Sequence, residues 1–182
     1  MAEQTPEKNP EEKNPEEKNP EEKNPEANNT ENAPPQLIMH AQYIKDLSFE
    51  NPRASKVFTQ QTGQPDVEVG VNVGASIISD NQFEVILHLN ANAKTDGESL
   101  FLVELSYGGL ISVNNVSDKD INPLIMIEGP RLLFPFARAT IAHVTREGGF
   151  LPLNIQPIDF VAVFKSNLAE KQKELLATQT KQ

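Results

Sequence analysis

The chain has 182 residues and a formal net charge of −10, and it contains neither cysteine nor tryptophan. The lack of cysteine excludes disulfides, thiolate metal sites and cysteine nucleophiles, and the acidic balance gives no electrostatic reason to bind nucleic acid or anionic lipid. No apolar run is long enough for a membrane-spanning helix, and the N-terminus lacks the regions of a signal peptide, so we expect a cytoplasmic protein.

The first 35 residues differ in composition from the rest. The unit Asn-Pro-Glu-Glu-Lys repeats over residues 9–23 and decays after Asn24. The segment carries ten acidic residues and four lysines, a net charge of −6, with little apolar content. Proline at every fifth position prevents a continuous helix, and few apolar side chains are available to stabilise a fold, so we predict a disordered acidic tail over residues 1–35. Its role stays open between a solubilising or spacing arm and no role at all.

The first predicted strand covers residues 40–51 and ends at Pro52. Side chains alternate between the two faces of a strand, which places an acidic set opposite a more apolar one. The set expected on one face is Tyr43, Lys45, Leu47 and Phe49, and the acidic set is Asp46, Ser48 and Glu50.

Two further strands show the clearest alternation in the chain. Residues 65–79 and 83–93 each place apolar side chains on one face, and Asp80-Asn81 forms a turn between them. This period of two predicts strands. The apolar sets are Val67, Val69, Val71, Val73 and Ala75 in one strand, and Phe83, Val85, Leu87, Leu89, Ala91 and Ala93 in the other.

A fourth strand is predicted over residues 99–113. The Asp96-Gly97 pair before it is a hairpin signal. The strand is apolar at successive positions at first, which is typical of a strand covered on both faces. Gly108-Gly109 within it predicts a bulge or a bend.

The pattern becomes helical after the fourth strand. Ser117 or Asp118 can cap a short helix that Gly129-Pro130 interrupts. The helical pattern resumes at Arg131, or begins at Pro135, and Gly148-Gly149 ends it. Proline favours the first turn of a helix and glycine its end, which explains both assignments.

The last predicted helix follows an apolar loop over residues 149–158 and is capped by Asp159. Consecutive strands followed by helices predict a two-layer α+β domain, in which two helices cover one face of a four-stranded antiparallel sheet. We place this domain at residues 36–168 and a charged, frayed segment at residues 169–182.

The residues that could carry catalysis or bind a metal are sparse. His40, His88 and His143 are not spaced three or four apart, so no helical metal pair exists. The chain has no nucleophile elbow and no phosphate-binding loop. We therefore expect no catalytic residue, no metal and no cofactor.

Apolar surface is the feature that remains. The strands carry more apolar surface than two helices can cover, and the loop Phe150-Leu151-Pro152-Leu153 is unusually apolar. Such a surplus favours an oligomer with an apolar binding groove, although for any single residue a place in the core is the simpler interpretation.

Several motifs in unbroken order resemble the bacterial protein-export chaperone family SecB. The resemblance covers residues 38–168, and the repeat tail lies outside it. The matching stretches are YIKDLSFENP at 43–52, FLVE at 101–104, LLFPFAR at 132–138, GGFLPL at 148–153 and QPIDF at 156–160.

The resemblance implies a homotetramer, built as a dimer of dimers. It implies that the protein holds unfolded precursor polypeptides without nucleotide and delivers them to the translocase motor ATPase SecA. The acidic charge and the lack of a long apolar run separately lead us to expect no binding to nucleic acid and no insertion into the membrane. A small-molecule or lipid carrier that uses the same apolar groove is the alternative.

The resemblance also assigns two sets of binding residues. Family positions for SecA docking match Asp46, Glu50, Leu102 and Glu104. Positions for client binding match Val67, Val69, Val71, Val103, Leu105 and Tyr107, and the loop residues Phe150, Leu151 and Leu153 are expected as a groove wall. Gly63 stands where the family often has an aromatic residue, which puts one aromatic subsite in doubt.

Overall fold

The computed structural model describes residues 34–57, 59 and 65–179. The predicted tail, apart from its last two residues, and Gly63 lie outside this part of the chain. The strands are β1 (Gln36–Glu50), β2 (Asp66–Ser79), β3 (Gln82–Thr95) and β4 (Glu98–Asn114), and the helices are α1 (Ala54–Val57), α2 (Asp118–Glu147) and α3 (Phe160–Gln179).

The four strands form one antiparallel sheet in the order β1-β4-β3-β2, so β1 and β2 are its edges. This confirms the predicted α+β class and the four-stranded sheet. The β3–β4 hairpin turns through Asp96 and Gly97, whose φ angles of 54° and 79° are both positive. A two-residue turn with two positive φ angles matches the twist of the flanking strands, as the Asp-Gly signal predicted.

The two faces of the sheet differ in chemistry. The helix-facing face carries the odd-numbered residues of β2, β3 and β4, and these provide most of the buried core. The open face carries the even-numbered residues of the same strands, many of which are polar and exposed. Leu87, Leu105 and Ile141 are at most 2% exposed, so helix and sheet share one continuous core.

Strand β1 differs from the prediction in its length and in the face of the sheet on which some of its side chains lie. It begins at Gln36 rather than residue 40, and register shifts occur between Met39 and Ala41 and between Ile44 and Asp46. A bulge inserts an extra residue and reverses the alternation beyond it. The predicted common face of Tyr43, Lys45, Leu47 and Phe49 is therefore wrong: Tyr43 and Lys45 reach Glu84 on the open face, whereas Leu47 and Phe49 lie on the helix-facing face.

The predicted bulge at Gly108-Gly109 is also wrong. Both glycines keep regular pairing with β1 and β3. Glycine is needed at both positions because neighbouring side chains leave no room for a Cβ atom. A Cβ atom on Gly108 would lie 2.7 Å from the Tyr43 ring on the open face, and one on Gly109 would lie 2.7 Å from Leu133 of α2 on the other.

Helix α2 is one continuous helix of 30 residues, although the sequence predicted a break at Gly129-Pro130. Gly129 and Pro130 are buried against the sheet. A Cβ atom on Gly129 would lie 3.2 Å from both Val85 and Ile111, so glycine here lets the helix approach the sheet closely. Packing of the buried face outweighs the local cost of proline and glycine inside a helix.

Helix α3 packs against α2 and against part of β2. The Phe160 ring packs edge-on against Phe134 of α2, with ring centroids 5.9 Å apart. Asp159 Oδ1 accepts hydrogen bonds from the backbone N–H groups of Val161 (2.9 Å) and Ala162 (3.2 Å), which confirms the predicted cap. The helix continues to Gln179, so residues 169–179 extend it beyond the domain boundary predicted at residue 168.

Candidate binding surfaces

The open face carries both charges and hydrogen-bonded polar side chains. Glu68 pairs with Lys94 at 3.0 Å on the β2 side of this face. Glu84 pairs with Lys45 at 2.8 Å near its middle. These two carboxylates are neutralised locally, so they add little to the negative field outside the protein.

Tyr43, Lys45 and Glu84 form a hydrogen-bonded cluster on the open face. Glu84 Oε1 accepts hydrogen bonds from the Tyr43 hydroxyl at 2.5 Å and from Lys45 Nζ at 3.0 Å. The hydrogen bond from Lys45, and then that from Tyr43, holds the pKa of the Glu84 carboxyl below its usual range. The same contact raises the pKa of the Tyr43 hydroxyl. The cluster fixes β1 to β3 across the intervening strand β4.

Glu84→Gln is expected to lower the free energy of unfolding at pH 7 by about 1 kcal/mol, because the pair is partly screened by water. The folded-state pKa of Glu84 lies below the unfolded value of about 4.3. Its contribution is therefore present above that pH and is lost as pH falls through the folded-state pKa. Urea titrations of both proteins should diverge most near neutral pH and converge as pH falls from the unfolded-state pKa of about 4.3 through the lowered folded-state pKa of Glu84. Glu68→Gln, at a more exposed pair, is the control, and a difference unchanged down to pH 3 would contradict this account.

All four residues matched to SecA docking lie on the open face. In the β1–β4 register, Asp46 pairs with Ser106, Ser48 with Glu104, and Glu50 with Leu102. The sequence placed Asp46 with Glu50 on one face of β1, and Leu102 with Glu104 on one face of β4. The register shows that these two faces belong to the same side of the sheet. We call these four residues the acidic patch.

The acids of this patch are not neutralised. Within the described residues, Asp46, Glu50 and Glu104 have no ion-pair partner, in contrast to Glu68 and Glu84. All three are exposed. The negative potential of the open face is therefore concentrated where β1 and β4 meet.

The β2 valines lie on the helix-facing face, at the edge of the sheet. Val69 is 41% exposed, and Val67 and Val71 are half-buried and pack against the core. They pair with Ala93, Ala91 and Leu89 of β3. The part of this edge strand before Val73 therefore leaves apolar surface open to solvent.

The loop after α2 presents a second apolar surface. Leu151 is 89% exposed, and Phe150 and Leu153 are half-buried. The Phe150 ring lies 4.8 Å from the Phe101 ring, which in turn stacks on Phe49 at 5.8 Å. An apolar side chain as exposed as Leu151 costs free energy unless a partner covers it.

A buried threonine holds this loop in place. Thr145 is fully buried near the end of α2, and its hydroxyl donates to the Ile141 carbonyl oxygen at 2.9 Å. The Thr145 hydroxyl oxygen in turn accepts a hydrogen bond from the Leu153 backbone N–H at 3.0 Å. The Phe150 N–H donates to the Thr145 carbonyl oxygen at 3.1 Å. The apolar loop is thus tied to the helix at both ends.

The loop and the β2 valines lie at the same end of the sheet. Phe150 contacts Phe101, which pairs with Ala93 of β3, and Ala93 pairs in turn with Val67 of β2. Phe101 and Val67 are therefore two strand spacings apart, about 10 Å. We call the set Val67, Val69, Val71, Phe150, Leu151 and Leu153 the apolar surface.

The remaining three client-binding positions lie in the core. Val103 is 0%, Leu105 2% and Tyr107 8% exposed, because α2 and the loop after it cover β4 on this face. A client cannot contact these side chains in this conformation of the chain. The prediction that these three residues contact the client directly is therefore corrected: they belong to the core. The candidate client-binding residues that remain are those of the apolar surface.

The three histidines serve local contacts. His40 Nε2 lies 2.7 Å from Ser112 Oγ, His88 Nδ1 lies 2.9 Å from Ser106 Oγ, and His143 Nδ1 accepts from Arg146 Nη2 at 2.8 Å. Across residues 34–57, 59 and 65–179, no group of three His, Asp or Glu side chains is placed to hold a metal ion. No helix in the same ranges is both long enough and apolar enough to cross a membrane.

Two features of these surfaces were missed by sequence reasoning. The bulge that turns Lys45 towards Glu84 leaves no trace in the sequence, because both neighbours are ordinary strand residues. Arg138 and Arg146 were not singled out from the sequence, although their spacing of eight places them on one face of α2. That spacing was the available signal.

Comparison with known proteins gives the family. The family model described as "Preprotein translocase subunit SecB" matches residues 30–171 of this chain. The chain belongs to the SecB family. The match spans all four strands, α2 and most of α3.

Curated SecB relatives match most of this chain in sequence. The protein-export protein SecB of Rhodopseudomonas palustris (strain TIE-1) is 47% identical over 144 residues, 79% of this chain and 92% of that protein. The SecB protein of Bradyrhizobium diazoefficiens is 48% identical over 139 residues, 76% of this chain and 86% of that protein. The chain therefore stands among the protein-export chaperones of this family.

A solved structure supports the fold. The SecB-like chaperone of Mycobacterium tuberculosis, in complex with a ChAD peptide from an antitoxin, matches with a TM-score of 0.52. The match covers 67% of this chain and 90% of that one at 14% sequence identity. At this level of sequence identity, the match supports the fold alone and assigns no binding residue.

Proposed function

We propose that this chain is an ATP-independent chaperone that holds unfolded precursor polypeptides on the apolar surface and delivers them to SecA for export. The observation that carries the proposal is the exposure of Leu151 (89%) and Val69 (41%) at one end of the sheet in a chain of the SecB family. Membership of the SecB family supports a role in protein export. The exposure of Leu151 and Val69 supports this end of the sheet as the place where the client binds.

The chemistry of the apolar surface suits clients of many sequences. Apolar side chains select burial rather than a particular hydrogen-bonding pattern, so any unfolded segment with large apolar residues can be accommodated. Each such client residue can contribute about 1.5–3 kcal/mol when fully buried, before ordering costs. Several weak sites on several subunits then bind a long client tightly through multivalency, while each site releases it easily.

The acidic patch is proposed as the SecA-docking surface. Asp46, Glu50 and Glu104 present three exposed, unneutralised carboxylates beside the half-buried Leu102. This arrangement suits a basic segment of the partner, for which charge complementarity raises the association rate and fixes orientation. It lies on the opposite side of the sheet from the apolar surface, which would leave both partners room to bind together.

We propose a homotetramer, assembled as a dimer of dimers. Strand β1 is a 15-residue edge strand, and no other strand in the described part of the chain pairs with its outer side, so it offers a template for pairing with a second subunit. Ile44 (48%) and Phe136 (48%) are further apolar groups that one subunit leaves exposed. Sedimentation equilibrium should give about four times the chain mass of 20.2 kDa.

The alternative, a carrier for a small apolar ligand or lipid, is not favoured. The relatives described above are protein-export proteins and a SecB-like chaperone with a bound peptide. We propose that the chain has no enzymatic activity and needs no cofactor, and that it acts in the cytoplasm without inserting into the membrane or binding nucleic acid.

The proposed holding activity is tested by client aggregation. A chemically unfolded client is diluted into buffer without nucleotide, with and without a stoichiometric amount of the purified protein, and light scattering is followed. We expect scattering to be suppressed, and we expect added ATP to change nothing. Unchanged scattering at a several-fold excess of the protein would overturn the proposal.

A further inference from the structure

A basic groove lies between the second half of α2 and the loop that follows it. It has a volume of about 470 Å³. One side is lined by Arg138, His143 and Arg146 of α2, and the opposite side is formed by Pro152 and Asn154 of the loop. Arg138 and Arg146 are eight residues apart, so they project from the same face of the helix.

The charge in this groove is only partly compensated. Arg138 is half-buried and, within the described part of the chain, has no ion-pair or hydrogen-bond partner. Arg146 Nη2 donates to His143 Nδ1 at 2.8 Å, and Arg146 Nε lies 3.6 Å from the exposed Glu147 carboxylate. Glu147 thus offsets Arg146 weakly, and nothing described offsets Arg138.

Helix stability accounts for only one of the two arginines. A cation in the last turn interacts favourably with the helix dipole, and this explains Arg146. The effect falls off within one turn, so it does not explain Arg138, which lies more than two turns before the helix end. A half-buried guanidinium with open donors is instead suited to a carboxylate from outside the chain.

We propose that this groove binds an acidic peptide segment of a partner protein. The guanidinium of Arg138 would pair with one carboxylate, and Arg146 with a second one along the segment. The net charge of −10 favours a short peptide, because an extended polyanion such as nucleic acid or an anionic membrane would be repelled by the rest of the surface. The groove lies apart from the acidic patch and would add a third kind of partner to an unfolded client and SecA.

Fluorescence anisotropy of a labelled peptide with six consecutive glutamates tests the proposal on the full-length protein. We expect saturable binding at low salt that weakens steeply as salt screens the charges. Arg138→Gln should weaken it about five-fold, as expected for a partly exposed ion pair. Arg138→Lys should retain more of it than Arg138→Gln, because it keeps the charge but not the fork of donors.

Arg131→Gln is the matched control, because Arg131 lies on the same helix but pairs with Glu128 outside the groove. It should leave peptide affinity within about two-fold of wild type, since rim charges contribute little. Equal loss in both variants would mean a non-specific effect of net charge and would overturn the proposal. So would an absence of peptide binding, or a change in sedimentation mass in Arg138→Gln, which would assign the groove to subunit contact. Tighter binding of anionic vesicles or single-stranded DNA than of the peptide would overturn it as well.

Discussion

Reversing charge in the acidic patch is expected to weaken SecA binding about ten-fold for Asp46→Lys or Glu104→Lys, and about a hundred-fold for the double variant. A like charge placed against a basic partner costs about 1–3 kcal/mol here, and each 1.4 kcal/mol is a factor of ten. Both residues are exposed and lie outside the core, so the fold should tolerate the changes. The loss should be largest at low salt.

Glu68→Lys is the matched control for this experiment. It makes the same change in net charge on the same face, but at the far edge strand and at a carboxylate already paired with Lys94. Biolayer interferometry with immobilised SecA should show a much smaller change for it. Aggregation suppression should survive in all these variants, and equal loss of SecA binding and of client holding would mean that these acids support the structure instead.

Two leucine truncations on the same side of the sheet are expected to separate core from client surface. Leu105 is 2% exposed and Leu151 is 89% exposed. Leu105→Ala should lower the free energy of unfolding by about 2–5 kcal/mol, because it leaves a cavity in a packed core. Leu151→Ala should change it by less than about 0.5 kcal/mol, as is usual for exposed positions.

Client affinity should show the opposite order. At a temperature where both variants are folded, Leu151→Ala is expected to weaken client binding about three-fold, and more if every subunit contributes, while Leu105→Ala leaves it near wild type. Urea titration and anisotropy of a labelled unfolded client give the two quantities. If client affinity fell only in Leu105→Ala, Leu105 would contact the client directly, as the family resemblance implies.

The sequence predicted most of the sheet because its alternation is strong where one face is buried. The valines of β2 and the apolar set of β3 occupy the predicted faces, and the Asp96-Gly97 turn has the backbone that the pair signals. Asp159 caps α3 as expected. In each case a local pattern and the tertiary contacts favour the same structure.

The errors arose where tertiary contacts outweigh a local pattern. The bulge at Lys45 is stabilised by Glu84, a residue 39 positions away, so nothing local predicts the reversal of faces. Gly129 predicts a helix break from local sequence, but it is glycine because Val85 and Ile111 pack against it. The burial of Val103 follows from the course of α2 over β4, and it cannot be predicted from the sequence because the first part of β4 is apolar on both faces.

We propose that one chain offers an apolar surface to a client on one side of the sheet and an acidic patch to SecA on the other. Sedimentation velocity of a fluorescently labelled unfolded client, with the chaperone and with saturating SecA but no nucleotide, tests this most directly. We expect the label to move into a heavier complex that contains all three proteins. Release of the client as SecA binds, in proportion to the SecA added, would show that the two partners share one surface and would contradict the account.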